Sequence, residues 1–325
     1  MLRIHAGAIL ISSLLGLAPA AAHAQSANYP DKPVTIISDA PAGSTPDVDS
    51  RFLAAAFTKL WKQQVIVVNH PGGTGSIAAH YAAQAAPDGY TLYNPVLSSF
   101  IALPSVAPNL PVRLPRDFAA IGYVAENPMF IAVSPSLGVS TLPQLIAAAK
   151  KDPGKISVAA TGVARLTGLT GLLLEQRAGV KFLVVPYNTH GPAAALGDVA
   201  SGRISFIIEG YSGIAGAVKA HRVKLIAQAS SKRLATFPDL PTVAETLPGF
   251  SAVGWQVLLA PTGTPRPTIS KVSADLTKVV SDPAFKAQLG KVGSYTRAMT
   301  PEQVVDFVKK EQATWLPLRE TLAKK

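Results

Sequence analysis

The sequence predicts an α/β protein of two lobes joined by extended crossovers. Three observations point there. Short β-branched runs alternate with helix-length stretches from residue 34 onward, and the connections between them carry Gly, Pro and small hydroxyl residues. The 325 residues also exceed the roughly 100–200 of a single domain.

Residues 34–38 form a β-branched run that reads as a strand, and Pro41, Ala42, Gly43, Ser44, Thr45, Pro46 and Asp47 follow as a turn and helix start. Ser44 or Thr45 serves as N-cap, Pro46 suits the first turn, and Asp47 and Asp49 complement the positive end of the helix dipole. Val48, Phe52, Ala56 and Leu60 recur at i+4 and predict one apolar stripe against a sheet. Residues 65–68 are a second strand, Pro71 to Gly75 a glycine-rich turn, 76–86 an Ala-rich helix, and 90–93 the start of a third strand. Three such passages in a row imply a parallel sheet with helices on its faces.

Residues 104–117, with four prolines, read as a long irregular connection. A second series follows, with strands at 130–133, 156–160, 182–186, 204–208 and 224–229 and helices at 142–151, 168–178 and 192–201. A strand at 254–259 then leads to helices at 267–280, 283–292 and 301–315.

Composition narrows the function classes. Hydrophobic residues make up 48% and charged residues 15%, the balance of a folded chain. The absence of cysteine excludes disulfides, thiol nucleophiles and thiolate metal sites. A formal net charge of +11 favours an anionic partner: a small acid, a nucleic acid or a membrane surface. Residues 1–24 read as a secretory signal peptide, with Arg3 in a basic n-region, an apolar stretch at 8–18 and Ala22-His23-Ala24 as cleavage site. Export to the periplasm, with cleavage after Ala24, is expected. Removing Arg3 lowers the +11 only to +10, so the positive surplus belongs to the exported protein.

Several motifs fail on their context. Gly73, Gly75 and Ala78 match a dinucleotide-binding spacing, but Pro71 interrupts the turn and the acid about 20 residues on is missing. No H-E-x-x-H and no G-x-S-x-G occurs, so neither a metal site nor the commonest hydrolase elbow is expected. Basic pairs such as Lys150-Lys151 and Lys309-Lys310 are scattered rather than striped, which argues against nucleic acid. Two loops remain, 41–46 and 161–167, each placing backbone N–H groups and hydroxyls at a helix start. Such loops either cap a helix in the ordinary way or hold a carboxylate or phosphate.

Over nearly the whole mature chain the sequence resembles the periplasmic solute receptors of tripartite tricarboxylate transporters, the Bug family. The resemblance rests on an ordered series: Tyr29-Pro30-x-Lys32-Pro33, Pro41-x-Gly43-x-x-x-Asp47-x-x-x-Arg51, Asn69-x-Pro71-Gly72, Ala86-Pro87-Asp88-Gly89-Tyr90, Asp117-Phe118, Pro153-Gly154-Lys155, Val185-Pro186-Tyr187, Pro238-Asp239-x-Pro241-Thr242, Pro248-Gly249-Phe250, Trp255 and Ala260-Pro261-x-Gly263-Thr264-Pro265. It implies a type II periplasmic binding protein fold, with residues 25–122 and 253–325 in one lobe, 123–252 in the other, and a ligand cleft between them.

The resemblance also implies a receptor that closes on a small organic acid and delivers it to transporter membrane subunits, acting as a monomer without catalysis, cofactor or metal. Carried over by position, Ala42, Gly43, Ser44 and Thr45 would contact the ligand, with Asp47 organising their loop. Gly73 and Ser98 would approach from neighbouring loops. Thr161, Gly162, Arg165 and Thr167 would grip the other end, beside Glu209 just after the strand at 204–208. The sequence departs from the family pattern in having Ser44-Thr45-Pro46 for a glycine-richer loop, Val163-Ala164-Arg165 for a Gly/Ser/Thr-rich one, Gly168 for a common histidine, and a poorly aligning stretch at 188–197. Arg165 either clamps a carboxylate or points into solvent. An exported hydrolase with an unrecognised serine site, and a ligand receptor that signals to a sensor protein, are the alternative functions.

Overall fold

The computed structural model describes residues 29–102, 109–110, 112–162, 165–187 and 191–323. The signal peptide at 1–24, Val163, Ala164 and the first residues of the 188–197 stretch lie outside these. The elements are β1 (Val34–Ser38), α1 (Thr45–Trp61), β2 (Val65–Asn69), α2 (Ser76–Ala83), β3 (Thr91–Asn94), α3 (Leu97–Phe100), β4 (Phe118–Val133), α4 (Leu142–Lys151), β5 (Ser157–Ala160), α5 (Leu166–Ala178), β6 (Leu183–Pro186), α6 (Gly191–Ala200), β7 (Phe206–Gly210), α7 (Tyr211–Lys219), β8 (Lys224–Gln228), α8 (Val243–Thr246), β9 (Val253–Pro261), α9 (Arg266–Ser281), α10 (Pro283–Gly290) and α11 (Pro301–Ala323).

Among the described residues one sheet runs in the order β2-β1-β3-β9-β4-β7-β5-β6, with β8 also paired to β4. Its first half is built on the parallel trio β2, β1 and β3, and its second on parallel β7, β5 and β6. The 16 residues of β4 join them: Phe118 to Pro128 pair with β9, and Met129 to Val133 pair with β7 and β8. Sequence reading finds only 130–133 of this strand. Gly122, Glu126, Asn127 and Pro128 look like breakers, yet pairing with β9, with register shifts after Ala120 and Tyr123, holds the whole run extended.

Helix α1 starts where expected but buries a different face. Its buried positions include Asp49, Ser50, Leu53, Ala54, Phe57 and Trp61, whereas Leu60 is 42% exposed. The stripe is rotated because the inward face opens with polar residues, which an apolar-period reading skips. Leu53, Phe57 and Trp61 form a core with Val34, Ile36, Leu92 and the inner faces of α9 and α10. Each such side chain contributes about 1.5–3 kcal/mol through burial.

Two more boundaries move. The strand expected at 204–208 lies at Phe206–Gly210, so Glu209 is inside β7 rather than after it. Helix α7 follows directly; it escapes sequence reading because Gly213 and Gly216 depress its helical propensity. Among the described residues, no helix is long and apolar enough to cross a membrane.

Candidate functional site

A narrow cleft opens between the two halves of the sheet. One wall comes from the loops after β1 and β3, with Pro41, Ser44, Thr45 and Ser98. The other comes from the loop after β5 and the end of β7, with Thr161, Arg165, Thr167 and Glu209, and the crossover strands supply Asn127, Met129, Gly254 and Trp255 as floor. Loops at the carboxyl ends of parallel strands converge there, the usual ligand crevice of an open α/β sheet.

The first loop is shaped from behind. Asp47 Oδ2 accepts the Gly43 N–H at 2.9 Å, and Oδ1 accepts from Asn69 Nδ2 at 2.8 Å. Arg51 pairs with the same carboxylate at 3.0 Å. Gly43 has φ +77°, a conformation that glycine adopts without strain. Ser44 is the N-cap residue of α1, but its hydroxyl donates to Pro41 O at 2.6 Å rather than to the helix. Asp47 thus holds the loop from behind, while Ala42, Gly43 and Asp47 stay out of the lining. Gly73 also stays out, turning against Ser76, and it is Gly75 that packs on Ser99 and Asp39.

The second wall is a hydroxyl–carboxylate cluster. Thr161 Oγ1 donates to Glu209 Oε2 at 2.6 Å and lies 3.3 Å from Thr167 Oγ1, which donates to Gly162 O at 3.4 Å. Gly162 supports the cluster without lining the cleft. Glu209 Oε1 accepts the Gly210 N–H at 2.9 Å. Burial pushes the Glu209 carboxyl above its ordinary range, against the opposing pull of Thr161, Gly210 and Arg165.

Arg165 reaches across the cleft. Its Nη2 donates to the Asp39 carbonyl at 2.7 Å, across the cleft and just past β1. Asp39 is fully buried, its carboxylate accepting from Ser99 Oγ and the Val96 N–H. Burial raises its pKa, with the Arg165 charge as the largest opposing influence. A second link spans the cleft where Ser212 Oγ on α7 donates to Thr45 Oγ1 at 2.7 Å.

Beneath the floor, the first turn of α1 is pinned to the crossovers. Gln256 Nε2 donates to Pro46 O at 2.8 Å, and Ser50 Oγ donates to Asn94 Oδ1 at 2.7 Å. Asn127 Nδ2 donates to Asp49 Oδ2, which also accepts from Ser294 Oγ at 3.0 Å. Burial pushes the Asp49 carboxyl up to about 7, with the Asn127 and Ser294 hydrogen bonds pulling the other way.

Sequence reasoning misses the floor. Asn127, Met129 and Gly254 reach the cleft through the pairing of β4 with β9 and β7, and no local pattern marks them. Among the described residues the lining contains no histidine or lysine to act as base for Ser44 or Ser98. Hydroxyls, two helix starts and one cation face a space bounded by apolar walls, an arrangement that can hold a small acid.

Residues 50–323 match the family described as the tripartite tricarboxylate transporter family receptor. The chain belongs to this receptor family. The receptor is 32% identical over 309 residues to a UPF0065 protein of Bordetella bronchiseptica, covering 93% of this chain and 90% of that one. Among solved structures it resembles R. palustris Rpa4515 with adipate, at TM-score 0.84 and 25% identity over 90% of this chain and 98% of the other. It also resembles the periplasmic binding protein BugD, at TM-score 0.80 and 29% identity over 90% and 98%. The receptor therefore has the periplasmic binding protein fold, and its family is one of periplasmic solute receptors rather than enzymes.

Proposed function

We propose that this receptor captures a small organic acid in the cleft and delivers it to the membrane subunits of a tripartite transporter. It is exported with removal of residues 1–24 and acts as a monomer. Its lobes are 25–122 with 253–325, and 123–252, hinged near 120–126 and 251–256. The observation that carries this reading is the pair of direct links across the cleft, Arg165 to Asp39 and Ser212 to Thr45. They join the two walls directly at the mouth, away from the crossover strands of the floor, and a ligand between them adds contacts only when the walls are together, which is how binding favours a closed state. The adipate held by a structural relative supports a carboxylate as ligand.

In this reading Ser44, Thr45, Ser98, Thr161, Thr167 and Glu209 touch the ligand directly, and Arg165 supplies the positive charge that an acid requires. Ala42, Gly43 and Asp47 set the shape of the first loop, and Gly162 that of the second. A thermal-shift screen of organic acids, followed by small-angle scattering, tests the proposal. A ligand at 100 times its dissociation constant adds about 2.7 kcal/mol of stability, and the particle contracts on binding. Neither stabilisation nor contraction with any acid would overturn it.

A further inference from the structure

We propose that the acid carries a hydrogen-bond donor on its carbon chain, a hydroxyl or an amino group, and that Asn127 Oδ1 reads it. This rests on the organic-acid reading above and specifies the class of acid.

The first observation is the orientation of Asn127 on β4. Asn127 and Met129 line the cleft, whereas Glu126 and Pro128 line the groove on the opposite side, the two-residue alternation of a strand. Asn127 is 2% exposed. Its Nδ2 is held from below by Asp49 Oδ2 and by Ser294 Oγ at 2.8 Å. These two hydrogen bonds set the amide with its NH2 group towards Asp49 and Ser294. The other end, Oδ1, is buried without a hydrogen-bond partner. A buried amide oxygen held in one orientation at the floor of a binding cleft is an acceptor waiting for a donor, and an acid without one leaves it unsatisfied.

The second observation is the charge of the surroundings. Among the described residues, Arg165 is the one cationic side chain in the lining, and it faces two buried carboxylates, Glu209 in the lining and Asp39 behind it. Its Nη2 is committed to the Asp39 carbonyl. A ligand made only of carboxylates would bring further negative charge and acceptors to a site already rich in both. A ligand with a hydroxyl or ammonium group supplies what these acceptors lack.

Titration calorimetry of the ligand-free mature protein tests this with acids matched on one skeleton: succinate, malate and aspartate; glutarate, 2-hydroxyglutarate and glutamate; propionate, lactate and alanine. In the skeleton that binds, the hydroxy or amino member is expected to bind about tenfold to a hundredfold more tightly than the unsubstituted acid. Asn127→Leu is expected to reduce that preference to about threefold or less. The ligand comparison uses the native protein, so it stands whether or not the variant folds. Equal or tighter binding of the unsubstituted acids overturns the inference and leaves the organic-acid reading intact. A folded Asn127→Leu protein that keeps the full preference overturns the role of Asn127. Failure of every acid to bind contradicts the organic-acid reading and this inference with it.

Discussion

Replacing Asp49 with Asn is expected to stabilise the protein at neutral and alkaline pH and to change little near pH 4. Asp49 is fully buried, and its carboxyl is pushed up to about 7, against about 3.9 for an unfolded Asp. Below about pH 4 both states hold the proton and the group contributes nothing. As pH rises through this window the unfolded chain releases its proton first, so stability falls, and the penalty is complete above about pH 7. Three units at about 1.4 kcal/mol each give roughly 4 kcal/mol, a large share of the 5–15 kcal/mol typical of a folded protein. Burial also raises Asp39 and Glu209, which add a slope of the same sign. Both remain in the variant, so the difference between the two proteins at each pH isolates Asp49. Urea denaturation between pH 4 and 8 should show that difference growing with pH and levelling off above about 7.5. A difference independent of pH, or a variant less stable at pH 8, would refute the reasoning.

Three further outcomes are expected. Arg165→Ala removes the bond to Asp39 O and the cation beside two buried carboxylates; a charged hydrogen bond of about 1.5–3 kcal/mol corresponds to an affinity loss of about tenfold to a hundredfold. Dicarboxylates should lose more than monocarboxylates; titrations within twofold of the parent would count against the clamp. In Gly210→Ala, the new Cβ would strike the Thr45 side chain on the opposite wall. The backbone at Gly210 has φ −65° and tolerates the change, so the cleft should be held apart, with binding at least about tenfold weaker and a larger radius of gyration; unchanged affinity would remove Thr45 from the closing surface. Phe57→Ala should cost about 3–5 kcal/mol in urea unfolding, since Phe57 is fully buried and stacks on Trp61; a loss below about 1 kcal/mol would mean that α1 repacks.

How much of this is legible in the residues depends on whether the signal is local. Turn and cap chemistry is local, so the loop at 41–47, the start of α1 and the hydroxyl-bearing start of α5 follow from their residues alone. Patterns that tertiary structure overrides do not. The inward stripe of α1 begins with Asp49 and Ser50, and the burial of Asp49 is explained only by Asn127 and Ser294, distant in sequence. The extended form of 118–129 is imposed by β9 across a span containing Gly122 and Pro128. Asn127 reaches the floor by that same pairing, and no local pattern announces it. Arg165 stands out in the sequence, but the partner of its Nη2 is a carbonyl 126 residues away, and no local pattern points to that link.

The central claim is that the cleft holds an organic acid. Mass spectrometry of small molecules released by denaturing the gently purified receptor tests it most directly. The account expects one carboxylate-bearing compound, in about one-to-one proportion to protein and depleted in Arg165→Ala. Release of a compound without a carboxylate, in that same proportion, would contradict it.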